Sequence, residues 1–305
     1  MSTRPGTSTA STDGPAPRRL SAGTLITHIR SLLPSLAPAE QRVGLVASED
    51  PAGVAAMTIS ELAQRCQTSE TTVVRFCRAV GLAGYPDLRI ALAAAAGNAE
   101  SDGSWTGVGS EITEDEPLAD VVAKIGAADA QAVRETVRQL DLESLDRVVS
   151  VLVQARRVDL YGVGASAFVA LDLQQKLHRI GRGVHAWPDP HSALTSAALL
   201  GPGDVAIGIS HTGQTHDTID CLAKAKSVGA TTVAITNFSR SPITKLADHL
   251  LTTAARETTF RSGAMASRIA ALTLVDCLFV AVAQRNYAET VSALERTYDA
   301  VRNRR

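Results

Sequence analysis

The sequence predicts two units in tandem: an all-α helix-turn-helix domain joined to an α/β domain, a five-stranded parallel sheet flanked by helices on both faces. Three observations predict this. The chain has 305 residues, and about 150 residues per domain makes two domains the expectation. Two short amphipathic helices meet at a three-residue break near residue 68. From residue 157 to 251, short apolar runs alternate with helical patterns, the signature of parallel strands linked by crossover helices.

Residues 1–22 are rich in Ser, Thr, Pro, Gly and Ala, cannot bury enough apolar surface to offset ordering entropy, and are expected to form a disordered tail. The first domain is expected over 23–97. Leu25, Ile29, Leu32 and Leu33 give one helical stripe, and Pro38 opens a second helix through Gln41, Val43 and Val46. Ile59, Leu62, Ala63 and Cys66 then recur at i, i+3, i+4, i+7 as a buried stripe. After the break at Gln67–Ser69, Ser69 can cap the next helix by accepting from the amide of Thr71 or Thr72. Val73, Phe76, Cys77 and Val80 form its buried side, and Gly81 ends it at positive φ.

A linker rich in Gly, Ser and acidic residues is expected over 98–116, with Trp105 able to tack it to a domain surface. The second domain, 117–305, opens with helices at about 118–140 and 142–154. Strands are expected at Arg157–Tyr161, Gly183–Trp187, Asp204–Ser210, Thr231–Thr236 and His249–Leu251. Helices are expected at Ser166–Ile180, Ser192–Leu200, Thr215–Val228, Pro242–Ala247 and Gly263–Gln284.

Thirty basic against 31 acidic residues give a net charge of −1, which excludes a generally basic nucleic-acid coat and a polybasic membrane binder. A local DNA-reading surface remains compatible with that balance. The most apolar stretch, Ile269 to Ala283, carries Asp276 and falls short of about 18–20 residues, so no membrane span is expected. No secretory signal is read at the N-terminus. Cys66, Cys77, Cys221 and Cys277 form no C-x-x-C pair, and buried reduced thiols in a cytoplasmic protein are expected. His211 and His216 lack carboxylate partners at ligand spacing, so neither a metal nor a cofactor is expected. Asp172 and His178 read as structural.

On the second helix of the pair, Thr71, Arg75 and Arg78 share one face with Thr72 beside them. Hydroxyls and guanidinium forks on one face suit phosphates and base edges. With Ser69 at the helix start, these are the candidate contacts to a double-stranded DNA operator. A solvated face of a helical bundle has the same pattern, and spacing alone leaves both open.

In the second domain, Tyr161-Gly162-Val163-Gly164-Ala165-Ser166 runs from strand to helix, and so does Ser210-His211-Thr212-Gly213-Gln214-Thr215. Glycines allow close backbone approach, helix starts offer free amides, and hydroxyls donate without a Lys, so each turn suits a phosphate. Gly164, Ser166, Ser210, His211, Thr212, Gly213 and Thr215 are the candidate ligand residues, with His211 contributing its backbone. Alone, the first turn also fits a dinucleotide-binding loop. Against that reading, the only acidic residue near the end of the second strand is Asp189, followed by Pro190, and the Ser210 hydroxyl cluster would be unexplained.

The stretch MTISELAQRCQTSETTVVRFCRAVGLAGYPDLRIALA resembles the N-terminal domain of the RpiR (MurR/RpiR) family of bacterial transcription regulators. Gln67 stands where that family usually has a turn glycine, Thr68 where it has an apolar residue, and Ala79 where it has a basic one. GVGASAFVALDLQQKLHRIG, LGPGDVAIGISHTGQTHDTID, GATTVAITNFSRSPITKLADHLLTTAARET and FRSGAMASRIAALTLVDCLFV resemble the SIS (sugar isomerase) domain. The resemblance implies that Ser166, Ser210, Thr212 and Thr215 hold the phosphate of a sugar phosphate, and that Glu257 and Arg261 reach the sugar. A solvated Glu257–Arg261 ion pair at helical spacing is the competing account.

The expected function is a non-enzymatic regulator of carbohydrate metabolism, a homodimer or homotetramer with no membrane partner, whose phosphosugar effector changes operator affinity. The alternative is an aldose–ketose phosphosugar isomerase with Glu257 as its base.

Overall fold

The computed structural model describes residues 22–101, 112–257 and 264–302, with side chains described from residue 25 to 96 in the first stretch. Trp105, Arg261 and most of the expected tail and linker lie outside the described residues.

The first unit is helical: α1 (Ala22–Leu32), α2 (Pro38–Glu49), α3 (Pro51–Ala56), α4 (Ile59–Arg65), α5 (Glu70–Ala79) and α6 (Tyr85–Ser101). Leu25, Ile29, Val43, Leu62, Val73, Phe76 and Leu88 meet in one core. Ile59, expected in the buried stripe, is half-buried at the edge of that core. A Cβ on Gly44 would sit 2.6 Å from Leu33 Cδ2 and 3.0 Å from Phe76 Cε2, so the glycine lets α2 press against α5. A capping box closes α4: Thr58 Oγ1 accepts from the Glu61 amide, and the Glu61 carboxylate accepts from the Thr58 amide. Ser69 caps α5 as expected, accepting from the Thr72 amide at 3.3 Å.

The break between α4 and α5 is a Schellman turn: Thr68 N–H donates to Ala63 C=O and Gln67 N–H to Gln64 C=O. Gln67 therefore takes the left-handed residue of that turn, φ +50°, without being glycine. Gly81 fills the matching place after α5 at φ +85°. Relief of the Cβ strain, less the entropy a glycine loses, predicts that Gln67→Gly stabilises the chain by about 0.5–1 kcal/mol. A rise in the urea midpoint at unchanged slope checks this.

The second unit runs α7 (Leu118–Gln139), α8 (Leu142–Gln154), β1 (Arg157–Tyr161), α9 (Ala165–Arg179), β2 (Val184–Trp187), α10 (Pro190–Ala197), β3 (Asp204–Ile209), α11 (His216–Ser227), β4 (Thr231–Thr236), β5 (His249–Thr252), α12 (Ala266–Arg285) and α13 (Tyr287–Arg302). All strand pairs are parallel, in the order β2-β1-β3-β4-β5. Side-chain alternation sorts β3 between two layers. Val205, Ile207 and Ile209 enter the core with α8, α9 and α12, while Ala206 faces the α10–α11 layer. On that second side, a Cβ on Gly208 would lie 3.1 Å from Ile243 Cδ1 and 3.2 Å from Thr218 Cγ2, so α11 lies close on bare backbone.

Several expectations are corrected. The third strand ends at Ile209, leaving Ser210 in the turn. The expected helix at 242–247 is a 3-10 turn, Pro242–Lys245, because the link from β4 to β5 is short. Cys66, Cys77 and Cys221 are buried thiols, but Cys277 is only half-buried. The last apolar stretch extends beyond Ile269–Ala283 into a 20-residue helix, α12, which is long and apolar enough to cross a membrane by length and composition. In the fold, α12 packs Leu274, Val275, Leu278 and Val282 into the sheet core, and its Asp276 pairs with Lys176 of α9.

The two units touch. Arg30 of α1 lies 3.7 Å from Glu135 of α7, Ser31 Oγ lies 3.5 Å from Ser239 Oγ, and Glu49 of α2 lies 3.5 Å from Arg256.

Candidate ligand site and nucleic-acid interface

β1 and β3 are hydrogen-bonded neighbours, with Tyr161 beside Gly208, while β2 lies on the far side of β1. Strand order reverses between β1 and β3, and the crevice at their carboxyl ends is where open parallel sheets take ligands. Each strand feeds a tight turn and a helix start. Gly164, φ +60°, precedes α9, and Thr215 precedes α11; neither helix start has a side-chain cap. After the edge strand β2, by contrast, Asp189 closes α10 by accepting from the Ser192 amide at 2.8 Å. Open amides and partial positive charge therefore stand at the two helix starts beside the reversal.

The Ser210 turn is tightly held. Ser210 is buried; its Oγ accepts from Gly213 N–H at 3.1 Å and lies 3.0 Å from Thr215 Oγ1. Thr212 is exposed, and its Oγ1 accepts from Gln214 N–H. Gly213, φ +65°, is pressed against Ser241. Ser210 thus shapes the turn from within, leaving the exposed Thr212 and the α11 start on its rim. In the first turn, Ser166 is half-buried, and its hydroxyl has no partner among the described residues.

Ser166 lines a small cleft over β3, β4 and β5 together with His211, Thr236, Thr253, Ser267 and Arg268. The His211 carbonyl accepts from Asn237 N–H and from Thr236 Oγ1, which anchors its backbone. Its ring makes an edge-type contact with Phe238, 5.5 Å between ring centroids, with Nδ1 buried and unpartnered among the described residues. Glu257 follows β5 outside any helix, and Arg261, its candidate partner, lies outside the described residues. Glu257 Oε1 accepts from the Ser267 amide at 2.7 Å, closing the start of α12, while Glu257 Oε2 and Ser267 Oγ are buried without partners among the described residues. Orphaned buried polar atoms are costly, so three of them at or beside one cleft mark a place suited to a polar ligand.

On the first unit, Thr71, Arg75 and Arg78 are exposed along α5. Thr72 Oγ1 lies 3.0 Å from Ser69 Oγ, so both hydroxyls take part in the cap. Arg75 Nη2 reaches Glu40 Oε1 of α2 at 2.8 Å.

Residues 23–99 match the helix-turn-helix domain of the rpiR family, and residues 151–281 match the SIS domain. An HTH-type transcriptional regulator of Caldanaerobacter subterraneus subsp. tengcongensis is 39% identical over 279 residues, covering 91% of this chain and 96% of that one. The chain belongs to the RpiR family. The HTH-type transcriptional regulator RpiR of Escherichia coli K12 is 34% identical over 242 residues, 79% of this chain and 80% of its own. Among solved structures, the Vibrio vulnificus NanR protein complexed with ManNAc-6P is similar at 31% identity and TM-score 0.58, covering 92% of this chain and 99% of its own. This RpiR-family chain is accordingly an HTH-type transcriptional regulator with an SIS domain.

In this RpiR-family chain the sheet and α12 also bring Thr236, Thr253, Ser267 and Arg268 to the cleft, none of them among the candidate residues of the sequence. Their only local signal was position: strand ends and a helix start. Among the described residues, no group of three His, Cys, Asp or Glu is arranged to hold a metal.

Burial pushes the His211 imidazole below its ordinary value of 6.5, and the nearby Glu257 carboxylate opposes that shift without cancelling it. His28 is lowered too, by burial and then by Arg240. Unfolding returns both rings to their ordinary value, so on acidification the unfolded chain gains protons before the folded one. Stability is expected to be full above about pH 6.5 and to fall as pH drops from there through the depressed folded values. Urea midpoints at about pH 7.5 and pH 5.5 check this, and His28→Gln/His211→Gln should flatten the difference.

Proposed function

We propose that this regulator senses a sugar phosphate in the crevice beside β1 and β3, and that occupancy changes operator affinity. The observation that carries the reading is the pair of uncapped helix starts on neighbouring strands, in a chain that also carries a helix-turn-helix. The phosphate is received by Ser166, Thr212, Thr215 and the open amides at the α9 and α11 starts, on a turn held in shape by Ser210. The sugar end meets His211 and Glu257, and Arg261 is the further contact. On the DNA side, Ser69, Thr71, Thr72, Arg75 and Arg78 meet the duplex, Ser69 and Thr72 through the helix start that they cap.

A short route joins the two sites. Arg256, next to Glu257, meets Glu49 of α2; Ser239, next to Phe238 on which His211 rests, meets Ser31 of α1. A ligand that bonds Glu257 and His211 shifts these two segments and so favours one placement of the reading helix. The assembly is a homodimer or homotetramer, matching two-fold operators, and the compartment is the cytoplasm.

The test is operator binding during titration with ManNAc-6P and a panel of hexose and pentose phosphates. Ser166→Ala should lose the response to a ligand that moves the wild type; an unchanged response would sink the pocket assignment. The isomerase reading draws on the same unpartnered Glu257 oxygen. Turnover of fructose 6-phosphate or a related sugar phosphate would favour it, although an isomerase leaves the helix-turn-helix without a use.

A further inference from the structure

A buried carboxylate lies beneath the DNA-reading face. Glu40, in the first turn of α2, is 7% exposed, and its one charged partner among the described residues is Arg75, whose side chain is 63% exposed. A negative charge close to the phosphate-facing side opposes DNA binding, and burying it costs desolvation. The platform that carries it is firm. Arg42, on the same helix, donates through Nε to Cys66 C=O at 2.9 Å and through Nη2 to Gln67 C=O at 3.0 Å, tying α2 to the turn between α4 and α5. Gly44 brings α2 against Phe76 of α5.

We propose that Glu40 is a positioning residue for base reading: it holds one edge of the Arg75 guanidinium and leaves the other edge aimed outward for the duplex. A free Arg carries large rotamer entropy, and each contact it makes must first overcome that freedom. A guanidinium has five donors in a fixed fork, so the ion pair through Nη2 with Glu40 leaves Nε and Nη1 available. Glu40 thereby lowers the entropy lost when Arg75 reads a base and restricts the directions in which it reads. The proposal rests on Arg75 facing DNA, as in the proposed function.

Electrostatics and positioning predict opposite signs, which makes the experiment decisive. Removing a negative charge should strengthen binding to every duplex alike. Loss of positioning should weaken discrimination at one base position, by about tenfold, within the range of a single base-reading contact. The probe is a randomised duplex pool, bound by the full-length chain and sequenced, with dissociation constants for the enriched duplex and a scrambled one. Glu40→Ala/Arg75→Ala identifies the position that Arg75 reads. Glu40→Ala alone should relax that position about tenfold, with scrambled-duplex affinity unchanged or raised, and Glu40→Asp should lie between. The fold should survive, because the Arg75 left behind is exposed and hydrated. Should Glu40→Ala fail to fold, the isosteric Glu40→Gln replaces it with the same expectation. Preferences identical to wild type in Glu40→Ala, or equal loss at every position, would overturn the positioning role. If the double variant also keeps every preference, Arg75 does not read bases and the DNA-contact assignment fails with it.

Discussion

Gly213→Ala is expected to lower stability by about 3 kcal/mol and to abolish any effector response. Two effects add. The residue has φ +65°, where a Cβ costs roughly 1–2 kcal/mol. The new Cβ would also sit 2.0 Å from Ser241 Oγ, 2.5 Å from Ser241 Cβ and 3.0 Å from Ile243 Cγ2. A hydroxyl can rotate away, but Ser241 Cβ is fixed to the backbone, so the turn itself must move. That turn carries Thr212 and leads to the α11 start, where a displacement of an ångström misaligns donors aimed at an anion. Ser241→Gly in the same chain should return part of the loss by removing the clash while leaving the φ strain. Gly164→Ala isolates the backbone cost: its Cβ would have open space, and φ +60° with ψ −125° is a region close to glycine-only, at roughly 1–3 kcal/mol. Urea unfolding with ligand titration measures both. If Ser241→Gly returns none of the Gly213→Ala loss, the Ser241 contact has no consequence.

Asp159→Ala is expected to destabilise the second unit by about 3–5 kcal/mol, the scale seen when a buried ion pair loses one member. Asp159 sits in the middle of β1 with no solvent exposure. It accepts from Arg157 Nε at 2.8 Å and Nη2 at 3.0 Å, from Ser196 Oγ at 2.6 Å and from Tyr161 OH at 3.3 Å. Truncation strands those donors between the sheet and α10. Replacing the group together, Arg157→Met/Asp159→Leu/Ser196→Ala, should recover much of the loss, since a well-packed apolar cluster can match a buried ion pair. If the single truncation costs less than about 1 kcal/mol, the network contributes little to the fold. β1 ends in the Gly162–Ser166 turn, so the same substitution is expected to weaken ligand affinity without touching the crevice.

Much of the fold was readable from local pattern. β1 and β4 have the limits that short apolar runs predicted, and α8 matches its expected span. Ser69 caps α5, and Gly81 ends it at positive φ. The Ser210 hydroxyl was not readable in the same way. The motif suggested an outward donor, whereas its bonds to Gly213 and Thr215 turn it into the brace of its own loop. His211 was expected to offer its backbone to a ligand; its carbonyl is taken up by Asn237 N–H and Thr236 Oγ1, and its ring reaches the cleft.

Local pattern was enough for the order and type of most helices and strands, for several of their limits, and for the family that the chain resembles. Those signals are caps, turns and periodicities that act within about one or two helical turns. Folding in three dimensions was needed to place β1 between β2 and β3, to bury Asp159, to bring Glu257 to the start of α12, and to set Glu40 against Arg75. Each is a pairing between segments brought together when the apolar faces close on one another, and local pattern carries no record of the partner across that distance.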